Sequence, residues 1–346
     1  MRLSPGKYRG LRRLSDDQGF LSMSAVSQRP AMEQLVANLS EDGRFDFQRV
    51  AQLKSAILDI WSRHSTAVLV DPQYGYPSAA EHLGHQCGLI IAVEQGHLER
   101  TAGGIRNYLF CEDIIAKAKR LGADAVNLSL WFRPDVDTDV ISHQKRLVLE
   151  VGRQCRAMDI VFLLSPLSYE HPGAPDFSPL QMIDVIQEFQ KPEYQVDLFQ
   201  LENPVVVSDG LSEPSAHERL ETVYRELGAA INIPWVMLTA GSSIASFQQA
   251  LSHAFGAGAS GFLAGRSFWL EQAKEFPDFD LIKRRLVTEV VPVANKLTDA
   301  LRNQGTPWFK AAGFAQSDLI AGSADFFERY ASFSDANLRT GHSKSA

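Results

Sequence analysis

The feature that most constrains this chain is a repeated alternation between two kinds of segment. Short apolar runs occur at Leu21 to Val26, Ala67 to Asp71, Gly88 to Val93, Ala125 to Trp131, Ile160 to Leu164, Val196 to Leu201, Trp235 to Leu238 and Gly261 to Leu263. Longer amphipathic stretches separate most of them: Ala31 to Leu39, Phe47 to Ser62, Glu112 to Leu121, Val140 to Arg156, Pro179 to Phe189, Ser215 to Leu227, and one capped by Ser242 and Ser243 that runs to Phe255. The runs lack strict apolar–polar alternation, so both faces are expected to be buried, as in parallel strands. Eight such runs with intervening helices predict an α/β fold, a single (β/α)8 TIM barrel. An open doubly wound sheet would want a glycine-rich turn after its first strand. That turn here is Ser27-Gln28-Arg29-Pro30, without glycine.

The chain has 346 residues, which suits one barrel with extensions. Residues 1–310 are assigned to the barrel, ending in a helical C-terminal extension from Pro277 to Trp308. Residues 311–346 are assigned to a tail that is partly disordered at its Ser-, Gly- and Lys-rich end. The tail carries an aromatic patch, Phe326, Phe327, Tyr330 and Phe333, suited to docking on the barrel or on a partner. The net charge of −7 and the lack of a basic run argue against nucleic acid as a partner. Cys87, Cys111 and Cys155 are odd in number and share no CxxC spacing, which reads as free thiols in a reducing compartment. His82 and His85 have an i, i+3 spacing but no evident third ligand, so neither a metal nor a cofactor is expected. The N-terminus is basic rather than signal-like, and no apolar run is long enough to cross a bilayer. A cytoplasmic protein without a membrane partner is expected, and self-association into a homo-oligomer is left open.

In barrels of this kind, active sites gather at the C-terminal ends of the strands. The seventh run ends Thr239-Ala240-Gly241-Ser242 and the eighth ends Ala264-Gly265-Arg266. Glycines let the backbone approach a ligand, amides at a helix start attract anions, and an arginine fork grips phosphate oxygens. These two loops are therefore expected to hold a phosphate. Asp71, after the second run, suits either a site carboxylate or a turn before Pro72. By alternation, Gln200 and Glu202 at the end of the sixth run are expected to point together into the barrel mouth. Ser242-Ser243 lacks the flanking glycines of a nucleophile elbow.

The strand-end segments resemble the class I tagatose-1,6-bisphosphate aldolase family. The likeness runs through Ser27-Gln28-Arg29, Leu69-Val70-Asp71-Pro72-Gln73-Tyr74-Gly75, Ala123-Asp124-Ala125-Val126 and Leu167-Ser168-Tyr169. It continues in Glu202-Asn203-Pro204, Leu238-Thr239-Ala240-Gly241, Gly265-Arg266 and Thr306-Pro307-Trp308. The resemblance implies a phosphorylated ketose ligand in carbohydrate metabolism and lyase chemistry through a Schiff base. It places phosphate binding at Gln28, Thr239, Gly241, Gly265 and Arg266, and conserved acids at Asp71 and Glu202. The centre departs from the pattern. The imine lysine position is Gln200, and an amide cannot form an imine. An acid on the first strand is Ser27, a lysine on the fourth is Asn127 and a glutamate on the fifth is Ser165. No lysine is expected near these strand ends.

Three functions remain open. The first is an enzyme on a phosphorylated sugar without an imine, either a carbon–carbon lyase or a sugar-phosphate isomerase or epimerase. In it, Glu202, Asp71 and Arg29 would serve as acid, base and anion stabiliser. The second is a non-catalytic sugar-phosphate sensor, a pseudoenzyme. The third is an aldolase with a relocated lysine.

Overall fold

The structure is a computed structural model that describes residues 3–204, 214–239, 243–313 and 326–330. The eight apolar runs form β1 (Leu21–Val26), β2 (Ala67–Val70), β3 (Gly88–Ala92), β4 (Ala125–Trp131), β5 (Val161–Leu167), β6 (Leu198–Leu201), β7 (Trp235–Leu238) and β8 (Gly261–Ala264). Each strand pairs in parallel with the next, and β8 returns to β1, with Leu21 opposite Gly261 and Ser24 opposite Ala264. Closure satisfies the backbone of every barrel strand and leaves no open edge.

Side chains alternate across the barrel wall, so two cores form. Leu21, Met23 and Ala25 of β1 pack in the lumen with Leu69, Ile90, Leu163, Leu198, Val236 and Leu263. Val26, Val70, Ile91, Phe162, Phe199 and Met237 pack outward under the helices. The same parity makes Ser27, Asn127, Ser165 and Gln200 the next lumen-facing positions toward the C-terminal mouth.

The helices are α1 (Pro5–Leu14), α2 (Pro30–Leu39), α3 (Phe47–His64), α4 (Gly75–His82), α5 (Ile114–Arg120), α6 (Thr138–Met158), α7 (Pro179–Phe189), α8 (Pro214–Ala230) and α9 (Ile244–Gly256). Ser243 caps α9 by accepting from the Ser246 amide, whereas Ser242 lies outside the described residues. Helices at Phe279–Arg285 and Val291–Gln304 complete the C-terminal extension. Phe327 is 86% exposed. Phe333 lies outside the described residues.

The basic N-terminus gave no expectation of α1, yet α1 closes the bottom of the barrel. Leu11 and Leu14 join the lumen core together with Trp308. Asp159 accepts from the amides of Gly6 at 2.8 Å and Lys7 at 3.3 Å, and the Lys7 ammonium pairs with buried Asp197 at 2.7 Å. Gly10 is needed for the close approach: a Cβ there would stand 2.7 Å from the Asp124 carbonyl oxygen. With α1 packed across the bottom, the cavity described below lies at the C-terminal mouth. A larger groove of about 1010 Å³ lies at the other end, where Arg13 and Arg302 are already paired with Asp124 and Asp16.

Candidate functional site at the barrel mouth

A cavity of about 140 Å³ sits at the C-terminal mouth. It brings together Ser27 and Gln28 after β1, Asn127 and Ser129 from β4, Ser165 from β5, Gln200 from β6, Thr239 after β7, and Gly265 and Arg266 after β8. Leu69, Leu238 and Leu263 are among its apolar walls. Gly241, also expected here, lies outside the described residues.

One side of the cavity is a cradle between the β7 and β8 exits. The Thr239 hydroxyl accepts from the Gly265 amide at 3.2 Å, tying the β7 and β8 exits together. A Cβ on Gly265 would stand 3.2 Å from that hydroxyl and narrow the cradle. Arg266, on the lining, is exposed and makes no ion pair with a described carboxylate.

The facing side is neutral. Ser165 Oγ lies 2.8 Å from Asn127 Oδ1 and 2.7 Å from Gln200 Oε1. A hydroxyl holds one proton, so it cannot donate to both. Turning over the Gln200 amide resolves the conflict. Gln200 then donates to Ser165, Ser165 to Asn127, and Asn127 Nδ2 to Ser129 Oγ at 3.2 Å. In either orientation Gln200, 1% exposed, keeps one amide atom buried and unpartnered, as does Gln28. Buried polar atoms without partners cost free energy, and a ligand that supplies the missing hydrogen bonds recovers it.

Three expected site residues do not line the cavity. Asp71 is fully buried behind the wall, because β2 ends at Val70 and its period-two register stops there. The Asp71 carboxylate accepts from the amides of Gln73, Tyr74 and Gly75 and from the Lys54 ammonium. Its oxygens are thus spent on a turn and an ion pair. Arg29 is also buried. It donates to the Glu94 carbonyl at 2.6 Å, stands 3.8 Å from the Glu94 carboxylate and lies over the Phe110 ring. Glu202 follows the last residue of β6, so its carboxylate leaves the direction taken by Gln200. It accepts from the Ser168 amide at 2.9 Å and hydroxyl at 3.1 Å. Burial raises the Glu202 carboxyl above the ordinary range, opposed by these two donors and by no described cation.

Two participants escaped the sequence. Lys54 of α3 is wholly buried and donates to the carbonyls of Val26 at 2.9 Å and Gln28 at 2.7 Å as well as to Asp71. The expectation that no lysine approaches the strand ends is therefore corrected: Lys54 reaches them from outside the wall, although it does not line the cavity. Burial lowers its pKa, and Asp71 opposes this. Its signal was a lysine on the apolar face of α3, beside Val50, Leu53, Ile57 and Trp61. Glu94, past β3, accepts from the Ser129 amide and faces Arg29; burial raises its pKa while Arg29 opposes the rise. It continues the lumen parity of Ile90 and Ala92, which could have singled it out. His82 bonds Ser55 at 2.8 Å, and among the described residues no group of three or more His, Cys, Asp or Glu is arranged for a metal. No helix among them is long and apolar enough to cross a membrane.

A closed parallel barrel with a polar cavity at its C-terminal mouth is a (β/α)8 barrel of the kind that carries its site at the strand ends. The sequence profile of the DeoC/LacD family aldolases matches residues 22–271. The chain is 31% identical over 287 residues to tagatose 1,6-diphosphate aldolase of Lactococcus lactis, covering 78% of this chain and 86% of the relative. It is 30% identical over 289 residues to tagatose 1,6-diphosphate aldolase 2 of Enterococcus faecalis, covering 79% and 86%. Fructose-bisphosphate aldolase from Plasmodium falciparum shares the fold, with a TM-score of 0.61 at 11% identity over 91% of this chain and 98% of that one. The protein belongs to the DeoC/LacD family of aldolases.

Proposed function

We propose that the protein binds a phosphorylated ketose or closely related sugar phosphate at the barrel mouth and acts on it without a Schiff base. The observation that carries this reading is Gln200. An amide occupies the lumen-facing position of β6, hydrogen-bonded into a neutral Ser165–Asn127 chain opposite the anion cradle. The cradle of Thr239, Gly265 and Arg266 supports phosphate binding. The names of the relatives, which act on tagatose 1,6-diphosphate, support a sugar phosphate as the class of ligand. Imine chemistry needs an amine within reach of the bound carbonyl, and no lysine is among the residues lining the cavity.

Glu202, whose carboxyl burial raises above the ordinary range, is the acid we assign to proton transfer. A non-catalytic sensor is the second reading, favoured by the absence of any titratable acid or base on the lining itself apart from Arg266.

The test has two parts. In a thermal-shift screen of sugar phosphates, at least one should stabilise the protein, and Arg266→Ala should weaken the effect. No stabilisation by any compound would overturn the binding claim. Incubation with ketose bisphosphates and borohydride, followed by intact-mass measurement, should give no adduct; a stable adduct would overturn the imine-free claim. Turnover of a stabilising compound separates enzyme from sensor.

A further inference from the structure

We infer that the site selects a ligand with one phosphate and a neutral hydroxylated remainder, a sugar or polyol monophosphate, and disfavours a bisphosphate. This rests on the phosphate reading above and names the ligand class within it. Arg266 is the one cation among the described residues lining the cavity.

A phosphate ester carries roughly −1.5 to −2 charges at neutral pH. One such group matches the cradle of Thr239, Gly265 and Arg266. A second, at the other end of an extended sugar, would meet Ser27, Asn127, Ser165 and Gln200, which are all neutral. Glu202 follows Gln200 by two residues, and no described cation offsets its burial. Arg29 does not line the cavity: it is buried, one guanidinium nitrogen donating to the Glu94 carbonyl at 2.6 Å and standing 3.8 Å from its carboxylate, with another left unpartnered. The unpartnered amide atoms of Gln200 and Gln28 are suited instead to the hydroxyl or carbonyl groups of a neutral chain.

The test is isothermal titration of the full chain at fixed ionic strength with four probes: inorganic phosphate, sorbitol 6-phosphate, fructose 6-phosphate and fructose 1,6-bisphosphate. At least one monophosphate should bind at least tenfold more tightly than the bisphosphate and more tightly than inorganic phosphate. Gln200→Leu should weaken that monophosphate more than inorganic phosphate. Glu202→Gln should narrow the gap between mono- and bisphosphate by removing the unbalanced charge. Tighter binding of the bisphosphate than of either monophosphate would overturn this inference while leaving the sugar-phosphate reading intact. If none of the probes binds, both fall.

Discussion

Lys54→Met tests the buried ion pair that holds the first two loops of the mouth. The substitution keeps most of the apolar stem and removes the ammonium shared by Asp71 and the carbonyls of Val26 and Gln28. Breaking a buried pair by removing one partner costs about 3–5 kcal/mol, because the other charge is left uncompensated. Asp71 retains three amide donors, which pulls the cost toward the lower end, while two carbonyls losing a charged donor pull it back up. At about 2.1 cal/mol/K per residue, the unfolding entropy of this 346-residue chain is roughly 0.7 kcal/mol/K. The expected loss in Tm is therefore about 4–7 °C. The double variant Lys54→Met/Asp71→Asn removes both charges and should be less destabilised than the single one. A urea-unfolding double-mutant cycle should give a coupling energy of about 2 kcal/mol or more. A Tm within about 1 °C of wild type for Lys54→Met, or strict additivity in the cycle, would refute the reasoning.

Three further outcomes follow from the geometry. Ser165→Ala removes the hydroxyl between Asn127 and Gln200 and should cost about 1–3 kcal/mol, read as a lower urea midpoint; an unchanged midpoint would deny that the chain of hydrogen bonds exists. For Glu202, the folded-state pKa is raised, so the folded chain holds the proton more tightly than the unfolded one, and stability is lost as pH rises from the unfolded value through the folded one. Glu202→Gln should lack this loss, so its Tm relative to wild type should climb with pH across that window; a difference independent of pH would count against the burial of the carboxylate. Gly10→Ala drives a methyl against the Asp124 carbonyl and should destabilise by about 1–3 kcal/mol, with α1 amides exchanging faster with deuterium; unaltered exchange would mean that α1 does not seal the barrel.

Much of the site was legible because period-two geometry is local. Ala25 predicts the direction of Ser27, Ala125 that of Asn127 and Leu198 that of Gln200, and the structure gathers all three with Ser165 around one cavity. The same rule misled at Glu202, just past β6, whose carboxylate does not line the cavity. Asp71 takes the turn alternative left open by its place before Pro72, accepting from the amides of Gln73 and Tyr74. Arg29 reads as a free anion binder in sequence, but its partner Glu94 lies 65 residues away.

By itself, then, the sequence determined the eight-fold strand–helix alternation, the inward register of the neutral residues and the placement of Thr239, Gly265 and Arg266 at adjacent strand ends. Each of these depends on backbone periodicity and chain order, which neighbouring residues carry. Tertiary structure alone decided which charges are consumed. Lys54 is paired with Asp71 and Arg29 meets Glu94, while Arg266 makes no ion pair with a described carboxylate. Pairing depends on distances between segments remote in sequence, and burial makes each pairing binding by removing the water that would otherwise satisfy the charge.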